Sequence, residues 1–204
     1  PEFGPLQDKI VRRQEVPAFF DAYMAVDFGF QDYNGVLFGL WDFLARKLYI
    51  QGEVWKHNSS TGQLAKAIRE LERKLYLAKD EERAGFRDPR TKERFRYRDI
   101  CRVGDHSKQQ LVDLWFDHDV SVLEADKWDK DAALANLRYG FQEGLIVIDP
   151  ACEHLIFQLL NGIWKKTIDG ARRTFSRDNV MGHCDLIDAL IYLFRKVAWD
   201  TNPY

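Results

Sequence analysis

From Ala22 to Val26 apolar residues fill both alternating positions, the pattern of a central strand buried on two faces. The stretch Ala22-Tyr-Met-Ala-Val-Asp-Phe-Gly-Phe-Gln-Asp32 then interrupts that pattern with Asp27 and Gly29. Two β-rich runs follow, Gly35 to Phe43 and Lys47 to Trp55, with connections short enough for an antiparallel meander. Ser60-Thr-Gly-Gln63 reads as a capping box. Beyond it Leu64, Ile68, Leu71 and Leu75 recur at helical spacing with charges between them, which predicts a helix covering the sheet.

Farther along, strands alternate with helices. Ile100 to Asp105 is a short strand, and His106 to Trp115 a helix with Leu111, Leu114 and Trp115 as its inward stripe. Val120 to Leu123 is a strand, followed by a helix with Ala132, Ala133, Leu134 and Leu137 inward. Leu145 to Ile148 is a strand stopped by Asp149-Pro150, and Cys152, Leu155, Ile156 and Leu159 mark the next helix. The basic stretch from Trp164 to Arg177 is a loop or a hairpin. A last helix opens near Gly182 and runs to about Val197 on a stripe of Leu186, Ile187, Leu190, Ile191 and Phe194. Such alternation implies parallel pairing with right-handed crossovers. The expected fold is therefore α/β: a mixed sheet of three antiparallel meander strands and then parallel strands, with helices on both faces.

Composition narrows the class. At 204 residues with 46% hydrophobic content and six tryptophans, the chain suits one domain with a sizeable core. Residues 19–204 are read as that domain. Pro1-Glu-Phe-Gly-Pro5 resembles a cloning scar, so residues 1–18 are read as scar plus a linker or peripheral segment. Three unclustered cysteines, Cys101, Cys152 and Cys184, suggest a reducing compartment and neither a disulfide framework nor a zinc site. No apolar run approaches membrane-spanning length, and no phosphate-binding Gly-x-x-x-x-Gly-Lys-Ser/Thr loop occurs. A formal net charge of −2 means that any nucleic-acid surface must come from uneven distribution.

The candidate chemistry is acidic. A charge on a core strand is expensive unless partnered, and a group of carboxylates is best partnered by a divalent cation. Asp27 has three companions: Asp105 at the end of the fourth strand, and Asp185 and Asp188 one turn apart at the start of the last helix. Each alone has an ordinary account, as a turn or as a helix cap favoured by the helix dipole. Together they form a set. Basic residues cluster in two places. One is Arg83 to Arg98, with Arg87, Arg90, Lys92 and Arg94; the other is Lys165, Lys166, Arg172 and Arg173. Each cluster reads either as a solvated loop or as a grip on a phosphate backbone. Lys127 follows a parallel strand, where it is either a surface lysine or a phosphate contact on the edge that carries Asp105. His183 is either a structural helix-start histidine or a group that positions water or the leaving group. Asp32 reads as turn chemistry or as an outer ligand.

In this chain order, Ala25-Val-Asp-Phe-Gly29, Arg102-Val-Gly-Asp105, Leu145-Ile-Val-Ile-Asp-Pro-Ala-Cys152 and Gly182-His-Cys-Asp-Leu-Ile-Asp-Ala-Leu-Ile-Tyr192 resemble the RNase H-like, retroviral-integrase-type nucleases. The likeness is greater to the nuclease domain of tailed-bacteriophage terminase large subunits, over roughly Phe20 to Val197. It implies catalytic metal ligands at Asp27, Asp105 and one or both of Asp185 and Asp188, with His183 beside them. It further implies two Mg²⁺ or Mn²⁺ ions, Asp27 bridging them, Asp105 on one and the Asp185/Asp188 pair on the other. The activity it implies is endonucleolytic cleavage of double-stranded DNA with little base specificity, used during viral genome packaging in the host cytoplasm. Implied partners are duplex DNA, the ATPase domain that precedes the nuclease in that family, the portal and the small terminase subunit; the isolated domain is expected to be monomeric. Two alternatives share these residues: a junction resolvase or RNase H-type enzyme on the same fold, and a DNA-holding module of the motor with little intrinsic cleavage.

Overall fold

The apolar run beginning at Ala22 becomes the central strand β1 (Asp21–Asp27). It pairs antiparallel with β2 (Tyr33–Asp42), which pairs antiparallel with β3 (Lys47–His57). The computed structural model describes residues 3–14, 21–29, 33–77, 100–105, 108–162, 164–166, 173–175 and 184–199. The expected parallel strands also form. β4 (Cys101–Asp105) lies parallel to β1, and β5 (Leu123–Glu124) parallel to β4. β6 (Ile146–Ile148) crosses to the other side and lies parallel to β3. The sheet order is β5-β4-β1-β2-β3-β6.

Side chains alternate across this sheet and split the core into two layers. Met24, Val26, Val36 and Phe38 face α2 (Thr61–Glu72) and α3 (Lys108–His118), through Leu64, Ile68 and Leu114. Tyr23, Ala25, Leu37 and Ile50 face α4 (Lys130–Gln142), α5 (Glu153–Asn161) and α6 (Asp185–Lys196). The expected stripe of α6, Leu186, Ile187, Leu190, Ile191 and Phe194, is buried throughout. At about 1.5–3 kcal/mol per large apolar side chain removed from water, that stripe alone supplies several kilocalories toward docking the helix.

Local signals behave as the sequence implies. Ser60 and Gln63 form a reciprocal capping box at the start of α2. Within the basic stretch after Gly162, β7 (Trp164–Lys166) pairs antiparallel with β8 (Arg173–Phe175). The short helix α1 (Gln7–Ile10) buries Ile10, and Phe3 packs edge-on against Phe141 with ring centroids 5.4 Å apart. Residues 3–14 thus pack against the domain. No described helix is long and apolar enough to cross a membrane.

Three expectations need correction. Trp115 is 58% exposed and packs against the exposed Phe116, so α3 turns Leu114 and not Trp115 into the core. Ala132 is exposed, and the inward face of α4 starts at Ala133. The strand expected over Val120–Leu123 forms only at Leu123 and Glu124, although Val120 and Val122 are buried. A two-residue edge strand needs little ladder, so the burial that produced the apolar pattern comes from packing rather than pairing.

Candidate active site

Asp27 is the last residue of β1, and Asp105 the last of β4. The strands are parallel and in step, with Asp27 opposite Asp105. Residues opposite one another on neighbouring strands project to the same face, about 4.8 Å apart along the sheet. Both carboxylates therefore emerge together at one edge.

The next neighbour in that row is Gly35 of β2, opposite Asp27 on the other side. A Cβ there would lie 2.9 Å from the carbonyl carbon of Asp185 and 3.0 Å from the nitrogen of Leu186. The missing side chain is what lets the start of α6 rest directly on the sheet beside Asp27. Cys184 introduces the helix in a left-handed conformation (φ 63°) without a side-chain cap. The buried Gln158 of α5 accepts the Leu186 N–H at 3.1 Å. Asp185 (3% exposed) and Asp188 thus arrive in the first turn, over the row formed by Asp105, Asp27 and Gly35.

Electrostatics record this convergence. The Asp27 carboxyl is pushed well above the ordinary carboxylate range, first by burial and then by Asp188, Asp185 and Asp105; Lys130 pulls the other way. Crowded acids that lose water favour the protonated form. Tyr192, one turn after Asp188, has its phenol raised by burial and by Asp27, Asp188 and Asp105, and its hydroxyl donates to Asp105 Oδ2 at 3.4 Å.

Two lysines complete the site. Lys127 forms an ion pair with Asp105 Oδ1. Lys130, the first residue of α4, places Nζ 2.7 Å from Asp188 Oδ1 and 2.8 Å from Oδ2. The backbone that presents both lysines is gripped from α6. Arg195 Nη1 donates to the Asp126 carbonyl at 2.8 Å, and Nη2 donates to the carbonyls of Trp128 and of Asp129, the latter at 2.8 Å.

The four expected acids are therefore brought together, and Lys127 lies among them. Lys165, Lys166 and Arg173 lie on the β7–β8 pair, where only the backbone is described. Asp32, Arg87, Arg90, Lys92, Arg94, Arg172 and His183 fall outside the described residues. Lys130, Arg195, Tyr192 and the need for Gly35 join the site without any sequence pattern having assigned them a role there. Tyr192 was within reach, since it follows Asp188 by four residues and must share its helix face. Lys130 offered only a basic residue at a helix start.

The donor set suits a hard divalent cation, being all carboxylate oxygen. The geometry is not a closed cage: among the described residues no group of three acids, histidines or cysteines stands arranged to hold an ion. Ammonium groups engage Asp105 and Asp188. The residues suit such an ion by donor type and by negative charge.

Neither a protein-family model nor a curated protein sequence matches the chain. Solved structures do. The nuclease domain of the P22 large terminase is 16% identical, with a TM-score of 0.67 over 95% of this chain and 91% of that one. The large terminase nuclease domain of bacteriophage SPP1, with bound Mn, is 18% identical, with a TM-score of 0.57 over 91% of this chain and 94% of that one. The nuclease from thermophilic phage G20c, with bound magnesium, is 16% identical, with a TM-score of 0.58 over 96% of each chain. Against a large terminase from another thermophilic bacteriophage, 13% identical with a TM-score of 0.67, the match covers 91% of this chain but only 41% of that protein's length. Sheet order, covering helices and these superpositions agree: the chain has the RNase H-like fold of the large-terminase nuclease domains.

Proposed function

We propose that this domain is a Mg²⁺- or Mn²⁺-dependent endonuclease that cuts double-stranded DNA as part of a terminase large subunit during viral genome packaging. The observation that carries the proposal is the convergence of Asp27, Asp105, Asp185 and Asp188 at the ends of β1 and β4 and the start of α6, where burial first and the neighbouring acids second raise the Asp27 carboxyl. The nuclease domains of SPP1 and G20c, solved with Mn and with magnesium or cobalt, lend support.

In this reading Asp27, which lies between the other acids, would be the ligand the ions share, with Asp105 and the Asp185/Asp188 pair as the remaining residues that would hold them. The chemistry gained from such ions would be an activated water and a stabilised leaving oxygen at a phosphodiester. The protein's own part is to fix the carboxylates on two strand ends and one helix start, and to present Lys127 toward the charge of the phosphate. The basic stretch from Trp164 and the segment 83–98 supply contacts to the backbone, which hold DNA without reading its bases.

The test is nicking of supercoiled plasmid in Mn²⁺ by the Asp27→Asn protein. Losing a group that merely orients a ligand costs about 10–100-fold, so losing the bridging ligand is expected to cost at least that much. Undiminished nicking removes the assignment. Cleavage of linear duplex, four-way junction and RNA–DNA hybrid in parallel separates this reading from a resolvase or an RNase H. DNA retardation without cutting, in Mn²⁺, favours a holding module.

A further inference from the structure

Lys130 makes the most complete contact in the site, with both oxygens of Asp188 within 2.8 Å of one ammonium. It is partly shielded, its side chain 39% exposed and that of Asp188 13% exposed. The contact is also built from the far side. Asp129 begins α4 from a left-handed conformation (φ 48°), its side chain accepting the Ala132 N–H at 2.9 Å, while Arg195 holds the carbonyls of residues 126, 128 and 129. One helix thus supplies Asp185 and Asp188 and, two turns after Asp188, the guanidinium that fixes the backbone leading to Lys130, the counter-charge of Asp188.

An ammonium and a divalent cation compete for the same oxygens. A divalent ion takes both oxygens of Asp188 only when Lys130, within 2.8 Å of each, lets go. The nearest alternative anion for that lysine, in a nuclease, is the phosphate of the DNA strand.

We propose that Lys130 is a positioning residue that holds Asp188 as an internal counter-ion, yields it when a divalent ion enters, and passes its charge to the bound DNA phosphate. The inference rests on the metal-nuclease reading and deepens it by naming what sets ion affinity before DNA arrives. Ion and DNA binding are then coupled, each strengthening the other by the same factor.

The experiment is Mn²⁺ titration by calorimetry of the wild type and of Lys130→Met and Lys130→Arg, without DNA, together with thermal melting in chelator. Lys130→Met is expected to bind Mn²⁺ about 10-fold more tightly than wild type and to melt lower in chelator. Lys130→Arg, which keeps the charge, is expected to retain wild-type affinity. A residue that merely supports the fold would weaken Mn²⁺ binding when removed. Wild type binding Mn²⁺ while Lys130→Met binds it equally or less tightly overturns this inference alone. Failure of both proteins to bind Mn²⁺ overturns the metal-nuclease reading and this inference with it. If Lys130→Met does not fold, Arg195→Lys, which loosens the loop and keeps the lysine, is expected to tighten Mn²⁺ binding in the same direction, and unchanged affinity there overturns the inference.

Discussion

At Asp27 the protein holds a carboxyl whose charge the fold opposes, through burial first and three neighbouring acids second. Its folded pKa is raised, so the folded state binds its proton more tightly than the unfolded chain does. That preference stabilises fully below the ordinary aspartate value of about 3.9 and is lost as pH rises through the higher folded value. Asp27→Asn has no such dependence. In chelator the variant is expected to melt close to wild type near pH 4 and above it at pH 8, with the gap widening between; a gap independent of pH counts against the coupling. Divalent ions reverse the comparison, because they stabilise only a protein that binds them. Sequence alone exposed the four acids, since a charge closing an apolar strand and an Asp pair one turn apart both break a pattern. It did not expose Lys130, because a lysine opening a helix departs from nothing.

Among elements, the seat of α6 on β2 depends on the absence of a single methyl group. Gly35→Ala would bring a Cβ to 2.9 Å from the Asp185 backbone, where no flexible side chain can move aside. Overpacking of that kind costs about 1–3 kcal/mol, or a fall of roughly 2–12 °C in melting temperature for a domain of this size. The larger effect is expected on Mn²⁺ affinity, because α6 must lift Asp185 and Asp188 away from Asp27. A stability loss with unchanged Mn²⁺ affinity would show that the helix tilts without moving its acids. Strands β1 to β3 were legible because buried runs and short connections leave few arrangements. β6 was legible as a strand but not in its place, since an apolar run such as Ile146 to Ile148 does not encode its neighbour. On α3 and α4 the apolar stripe was set one residue off, at Trp115 and Ala132, where adjacent apolar residues leave the face ambiguous.

For the molecule as a whole, a net charge of −2 coexists with the proposed grip on a polyanion. Binding must then come from concentrated basic segments and be strongly salt-dependent. Each phosphate contact contributes about −0.9 to the slope of log affinity against log salt. Changing Lys165 and Lys166 together to Gln is expected to reduce that slope by about 1.8 and to weaken binding alike on unrelated duplexes. An unchanged slope would take the β7–β8 pair out of the DNA surface. The overall architecture was readable from the alternation of strands and helices, whereas the roles of the basic segments were not, because solvation and phosphate binding select the same residues.

The alignment of Asp27 with Asp105 has a further consequence, for how such proteins diverge. An aspartate at the tip of β1 reaches its partner only if the count of residues along that strand is kept; one inserted or deleted residue turns it to the opposite side of the sheet. Core side chains, by contrast, can be exchanged widely while volume and patterning persist. Lineages built on this plan are thus free to drift in composition but not in spacing at two strand tips. Solved structures only 12% and 18% identical to this chain share its fold.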